Sequence, residues 1–245
     1  MPEKEMKLSV IIPAYNEEKF IERCLKSVFE NIPEVTEVIV VDNNSTDKTS
    51  EIANKLSLQF PKIKVIKETN KGTNKARQRG FEEAKGELLV FIDADTSVPA
   101  GWYNKIVKNF SEDKNLVCLS GPVFFTDISR LMQIAAGFYF YILAMPIYYT
   151  IGYMAIGANL VIKKDVLKKM GGFDISIDFY GDDTDTARRA SKFGKVKFSP
   201  DFVINTSGRR LAQQGLLSAG TKYTANFFSQ VFIHKTVNKK YTDHR

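Results

Sequence analysis

The sequence predicts an α/β protein built on one mostly parallel β-sheet flanked by helices, and three observations predict it. Short apolar runs that do not alternate with polar residues recur through the first half of the chain, as strands buried on both faces should. Amphipathic runs with helical spacing separate them. The composition, 245 residues with 44% hydrophobic and 26% charged side chains, supplies an ordinary globular core and excludes general disorder.

In chain order, the strands expected in the first half are Leu8–Pro13, Glu37–Asp42, Ile63–Lys67 and Glu87–Asp93. Between them lie helical patterns. In Glu17–Glu30 the residues Phe20, Ile21, Cys24, Leu25, Val28 and Phe29 form one apolar stripe; Asp47–Leu56 and Asn74–Lys85 behave similarly. Such alternation implies a parallel sheet with right-handed crossovers. The second half is less regular. Leu116–Phe125 and Gly157–Lys163 read as strands, and Asp165–Met170 as a short helix closed by Gly171 and Gly172. Asp182–Phe193 reads as a helix, Lys195–Phe198 and Phe202–Ile204 as short strands, and Arg209 to Phe232 as a basic tail with helical spacing. No repeat or linker divides the chain, so a single domain is expected.

The formal charge of +7 favours anionic partners: nucleic acid, an acidic membrane surface or phosphorylated substrates. No zinc-finger or RNA-recognition signature accompanies it, so a nucleic-acid partner is not expected. Cys24 and Cys118 read as buried small hydrophobes without disulfide or metal spacing. The charged N-terminus lacks the apolar core of a signal peptide. A cytoplasmic protein is the expectation. His234 and His244, in the basic tail, read as surface residues.

In sheets of this class ligands sit beyond the carboxyl ends of the strands. That rule gathers Pro13–Glu18, Asp42–Asp47 and Asp93–Thr96 around one crevice. Asp93 and Asp95 follow a run of pure hydrocarbon, Leu88 to Ile92, where two carboxylates are costly unless a cation or solvent compensates them. A hard divalent cation that keeps positions open for phosphate oxygens suits such a pair. The spacing alone is weak evidence, because Asp183-Thr184-Asp185 shares it. Asn43 and Asn44 suit a sharp turn, and Ser45, Thr46 or Asp47 can cap the next helix. Asp42 and Asn43 at that strand end can also hydrogen-bond a nucleobase or ribose.

Three segments in order, Val10-Ile11-Ile12-Pro13-Ala14-Tyr15-Asn16-Glu17-Glu18, Val40-Val41-Asp42-Asn43-Asn44-Ser45-Thr46-Asp47 and Asp93-Ala94-Asp95, resemble glycosyltransferase family 2. The resemblance continues through Gly157-Ala158-Asn159, Gly171-Gly172-Phe173-Asp174 and Gly181-Asp182-Asp183-Thr184-Asp185, covering about residues 7 to 205. It implies a GT-A fold, a nucleotide-diphosphate sugar donor, a divalent cation (Mn2+ or Mg2+) and inversion at the anomeric carbon. It implies a donor-binding half over about 7–97, an acceptor-side half over about 98–208 and a helical tail over 209–245. Carried over by residue, Pro13, Ala14 and Tyr15 flank the base, and Asp42 and Asn43 bind base and ribose. Glu17 and Ala94 belong to the same donor-binding motifs, and Gly72 and Arg77 lie near the donor. For Arg77, a diphosphate or ribose contact and a solvated helix face are both open. Asp93 and Asp95 are the metal ligands and Asp183 the catalytic base, which takes the acceptor's proton. Like charges at Asp182 and Asp185 should raise the pKa of Asp183, against the pull of a helix N-terminus.

Arg209 and Arg210 at a helix start oppose the helix dipole, so an anion, such as a donor or acceptor phosphate, is expected near them; a plain surface pair is the alternative. Asp182 is grouped with them on the acceptor side.

Leu131–Gly157 carries no formal charge and exceeds the roughly 18 apolar residues of a membrane span. A span there would part Asp95 from Asp183, so none is expected. Two readings stand: buried core with an acceptor wall, or a Tyr-rich interfacial surface that meets a lipid-linked acceptor at a cytoplasmic membrane face. The acceptor is a saccharide or a lipid-linked group. The rival functions are a catalytically degenerate nucleotide-sugar-binding module and a sugar nucleotidyltransferase; the latter usually shows a Gly-rich loop where this chain has Pro-Ala-Tyr-Asn-Glu-Glu.

Overall fold

The computed structural model describes residues 6–177 and 181–215 together with Thr221 and Ser229. The expected sheet is present. Its strands are β1 (Leu8–Ala14), β2 (Val35–Asp42), β3 (Ile63–Lys67), β4 (Leu88–Phe91), β5 (Leu116–Ser120), β7 (Leu160–Lys163) and β8 (Lys195–Phe198), in the order β3-β2-β1-β4-β7-β5-β8. All neighbours pair in parallel except β7, which runs antiparallel to both β4 and β5. A two-stranded parallel sheet of β6 (Val123–Phe125) and β9 (Ile204–Thr206) lies apart.

The helices are α1 (Ile21–Asn31), α2 (Thr49–Gln59), α3 (Thr73–Glu83), α4 (Trp102–Glu112), α5 (Arg130–Tyr139), α6 (Met145–Ile151), α7 (Lys164–Lys169), α8 (Asp182–Ala190) and α9 (Arg209–Gln214). The core forms two clusters, one on each side of the sheet, because alternate residues of each strand point to opposite faces. Val10 and Ile12 belong to the cluster with α1 and α4, and Ile11 to the cluster with α3 and α8. Both cysteines are buried, as expected, and burial pushes each thiol up to about 12.

Several expectations need correction. The first helix starts at Ile21, not Glu17, because the backbone N–H groups of Glu17 and Glu18 bond Thr49 and Asp47 in the next loop. Leu116–Phe125 is two strands in two sheets. It breaks at Gly121-Pro122, where a Cβ on Gly121 would lie 2.1 Å from the Phe202 carbonyl oxygen and Pro122 has no N–H to pair. The strand expected at Phe202–Ile204 is β9, two residues later, since Phe202 is used in stacking on Trp102 with ring centroids 4.6 Å apart. Helix α4 was not expected at all.

The uncharged stretch is helical from Arg130 to Ile151, with a π-helical segment, Phe140–Ala144, between α5 and α6. It is not core. Leu131, Ile134, Phe138, Tyr141, Ile142 and Tyr149 are exposed, and only 6% of the most apolar window is buried. The inward side rests Met145 and Tyr148 beside Phe198 and Met154. The basic tail beyond residue 215, with both histidines, lies outside the described residues apart from Thr221 and Ser229.

Candidate active site

The chain enters the sheet at β1, builds β2 and β3 on one side, then places β4 on the other. Connections therefore diverge between the carboxyl ends of β1 and β4, the place at which sheets of this class bind ligands. The loops at 13–18 and 42–47 are laced together there. Asn43 N donates to Ala14 O at 2.8 Å, Asn16 N to Ser45 Oγ at 3.1 Å, and Thr46 N to Asn16 Oδ1 at 2.8 Å. Asn16 and Asn44 sit at φ 53° and 68°, a left-handed conformation that Asn tolerates better than most residues.

Asp42 is buried, and its carboxylate accepts from Ser45 N at 3.0 Å. Asn43 staples the loop that leads into α3. Its Nδ2 donates to Glu68 O at 2.9 Å and Asn70 O at 2.8 Å, and its Oδ1 accepts from Gly72 N at 2.8 Å. Asn43 thus shapes the crevice wall with the groups that could otherwise reach a base. A carboxylate in its place could accept from Gly72 but could not donate to two carbonyls. The staple sets Gly72, and Lys71 beside it donates to Tyr15 Oη at 3.3 Å, with its ammonium 4.9 Å from the ring centroid.

Arg77 is not on a solvated helix face. It is 4% exposed and bridges two motifs: Nη1 meets Asp182 Oδ2 at 2.5 Å, and Nη2 meets Asp93 Oδ1 at 3.3 Å. Gly157, at the approach to β7, makes this position available, since a Cβ there would lie 2.4 Å from Arg77 Nη2. Gly157 also presents its N–H to Asp183. The strand-end pair Asp93 and Asp95 and the helix-start pair Asp182 and Asp183 are thereby joined through one guanidinium. Asp182 faces Arg77, and Asp185 pairs with Arg188 at 2.6 Å and Arg189 at 3.3 Å.

Arg209 supplies the third connection. The anions near it are protein carboxylates: it donates to Glu17 Oε1 and lies 3.3 Å from Asp95 Oδ2. Its guanidinium sits 4.7 Å from the Phe20 ring centroid. Asp95 also accepts from Thr206 Oγ1 at 3.2 Å. Asp127 holds the turn before Arg209, accepting from Ser207 Oγ at 2.5 Å and from Gly208 N. Arg210 is partly exposed and adds positive charge near Asp95.

The electrostatics follow from this packing. Burial raises the pKa of Asp95, and the Asp93 charge adds to it, against the pull of Arg209 and Arg210. Burial likewise raises Asp182, with Arg77 opposing. Burial and the neighbouring Asp182 charge push Asp183 up to about 7, while Arg77 and the N–H groups of Thr184 and Gly157 hold it down. A carboxyl group poised near neutrality is suited to general-base chemistry. Asp93 and Asp95 fit a divalent cation of the kind that takes one or two carboxylates and fills its shell with phosphate oxygens and water. Positive charge there would relieve the penalty on Asp95. Among the described residues no group of three or more His, Cys, Asp or Glu is arranged as a self-sufficient metal site.

The sequence reading missed Asp127, Phe20 and the cradle role of Gly157. A glycine just before a strand was the available signal for Gly157; nothing local announces the other two.

A family model described as Glycosyl transferase family 2 matches residues 9–171. Glycosyltransferase AglE of Haloferax volcanii is 31% identical over 202 residues, covering 80% of this chain and 65% of the relative. Dolichol-phosphate mannosyltransferase of Pyrococcus furiosus is 40% identical over 105 residues, 42% of this chain and 30% of the relative. The chain thus spans less than two thirds of either relative's length. Among solved structures, mannosyltransferase PcManGT from Pyrobaculum calidifontis, in complex with GDP-Man and Mn2+, matches with a TM-score of 0.74 at 23% identity, covering 96% of this chain and 66% of that one. S. aureus TarS 1-349 matches with a TM-score of 0.66 at 22% identity, covering 93% and 72%. At these identities the likeness establishes the fold, the α/β sheet of the GT-A glycosyltransferases.

Proposed function

The chain belongs to glycosyl transferase family 2, and on that premise we propose that it moves a sugar from a nucleotide-diphosphate sugar to an acceptor hydroxyl or phosphate with inversion at the anomeric carbon. The observation that carries this reading is the convergence of Asp93 and Asp95 with Asp182 and Asp183 through buried Arg77 at the switch point of the sheet. The nucleotide lies along the ends of β1 and β2, between Pro13, Ala14 and Tyr15 on one side and Asp42 with the Asn43-stapled loop on the other. Asp93 and Asp95 hold the divalent cation, which when bound supplies positive charge to the departing diphosphate. Asp183 takes the proton of the acceptor hydroxyl as its oxygen attacks the anomeric carbon from the face opposite the diphosphate. Asp182, neutralised by Arg77, keeps the first turn of α8 in place.

Calorimetric titration with UDP, GDP and dTDP, each with and without Mn2+, tests the donor half of this proposal. One nucleotide should bind tightly, and only with Mn2+. Equal binding of that nucleotide without any divalent cation would remove the metal role of Asp93 and Asp95. Structural relatives carry GDP-Man, UDP or UDP-GlcNAc, which is why GDP and UDP are among the probes.

A lipid-linked acceptor is favoured by the exposed apolar helix. Its face carries Leu131, Ile134, Phe138 and Tyr149, no charged residue follows Arg130 at its first position, the chain has net charge +7, and the helix starts three residues after Asp127, which holds the turn before Arg209. These features suit contact with an anionic bilayer at its cytoplasmic side. The chain should cosediment with vesicles containing about 30% phosphatidylserine, and Ile134→Glu with Phe138→Glu should reduce that binding at least about tenfold. Equal sedimentation of the double variant would exclude this face.

A further inference from the structure

Each carboxylate of the Asp93/Asp95 pair has its own guanidinium, and the two arginines differ in how firmly they are held. Arg77 is sealed: its side chain is 5% exposed and locked to Asp182 as well as Asp93. Arg209 is 22% exposed, projects from a six-residue helix, and divides one nitrogen between Glu17 Oε1 and Asp95 Oδ2. The Phe20 ring lies under one face of the Arg209 guanidinium, and Asp127 holds the turn before it, while the side chain keeps its 22% exposure.

We propose that Arg209 competes with the divalent cation for Asp95, so that the site is loaded by the cation–nucleotide complex rather than by the cation alone. The inference rests on the donor and cation reading given above. A guanidinium 3.3 Å from Asp95 Oδ2 occupies the oxygen a cation must take and repels a double positive charge a few ångströms away. A diphosphate changes the balance. It brings negative charge with the cation and offers Arg209 a two-pronged partner in exchange for Asp95. Arg209 therefore opposes the cation alone and favours the cation with its nucleotide.

The test is Mn2+ binding to the full chain by electron paramagnetic resonance, without nucleotide. Arg209→Gln should bind Mn2+ at least about fivefold more tightly than the wild type, because a competing unit charge has gone. Arg209→Lys, which keeps the charge, should stay within about twofold of the wild type. Asp95→Asn should lose the site and so identify it. Unchanged or weaker Mn2+ binding by Arg209→Gln overturns the proposal. A measurement on the wild type covers the case in which that variant folds poorly. The arginine side-chain NMR signal that disappears in Arg209→Lys should shift on adding Mg2+, and should not shift in Asp95→Asn. A signal indifferent to Mg2+ in the wild type overturns the proposal independently. If the wild type binds its nucleotide with no dependence on divalent cation, the cation reading itself fails. If that dependence holds and Arg209→Gln shows no gain, only the competition fails.

Discussion

Replacing Asp183 with Asn should lower turnover by about three orders of magnitude or more while leaving Mn2+-dependent nucleotide binding within about twofold. The amide keeps the size of the side chain and can still accept from Thr184 N, which donates to Asp183 Oδ1 at 2.8 Å. It cannot take a proton from an acceptor hydroxyl. Single-turnover assays with saturating donor separate the two quantities, and near-normal turnover would transfer the base role to another group. The pH profile gives a second reading of the same residue. Asp183 is held up at about 7 by burial and by Asp182, and only its ionised form is a base. The logarithm of kcat/KM should rise with unit slope below about pH 7 and level off above it. The stability linkage has the opposite sense. Between the ordinary Asp value of 3.8 and about 7 the native state holds a proton that the unfolded chain has released, so this group's contribution to stability falls as pH rises through that window. Asp183→Asn removes the loss and should melt above the wild type at pH 8, even as activity disappears.

Arg77→Met should cost about 3 kcal/mol or more of stability, the usual result of removing one partner from a buried ion pair. The variant leaves Asp182, with a side chain only 12% exposed, without the guanidinium that compensates it. Adding Asp182→Asn should restore much of the loss, since the stranded charge is then gone. Urea denaturation of the wild type, both single variants and the double variant measures the coupling. Additive losses would mean that the ion pair contributes nothing specific. The double variant should remain impaired in turnover, because Arg77 also reaches Asp93 at 3.3 Å and so joins the strand-end and helix-start carboxylates.

Much of this architecture was legible in the sequence where burial on two faces leaves an unmistakable mark. Residues 10–12 of β1, residues 38–41 of β2 and all of β4 are hydrocarbon runs leading to Pro13-Ala14, Asp42 and, two residues beyond Phe91, Asp93; that pattern located the candidate site. Helix α4 was not expected, although Trp102, Ile106 and Phe110 stand at the i, i+4, i+8 spacing of one helical face. The direction of β7 is invisible locally, since Leu160 to Ile162 is as apolar as any parallel strand. Within the site, residue types could nominate Asp93, Asp95 and Asp183 but not their partners. Arg77 and Asp182 are 105 positions apart, and Arg209 and Glu17 are 192 apart. Asn43 shows the converse limit: its type fits a ligand contact, and its geometry commits it to the 68–72 loop.

The reversed strand β7 has one more consequence. Ser120, at the end of β5, pairs directly with Leu160, at the start of β7. The 39 residues between them leave and re-enter the sheet at neighbouring points, at the rim where the crevice opens. That excursion contains the entire exposed apolar helix and passes Gly157, beside Arg77, just before it re-enters the sheet. Because the sheet already holds its two ends together, lengthening the apolar helix within the excursion adds little closure entropy, whereas Asp127 before it and Gly157 after it are committed to the turn of Arg209 and to Arg77. The helix is thus a segment whose length the sheet can tolerate changing, pinned between two anchors that it cannot.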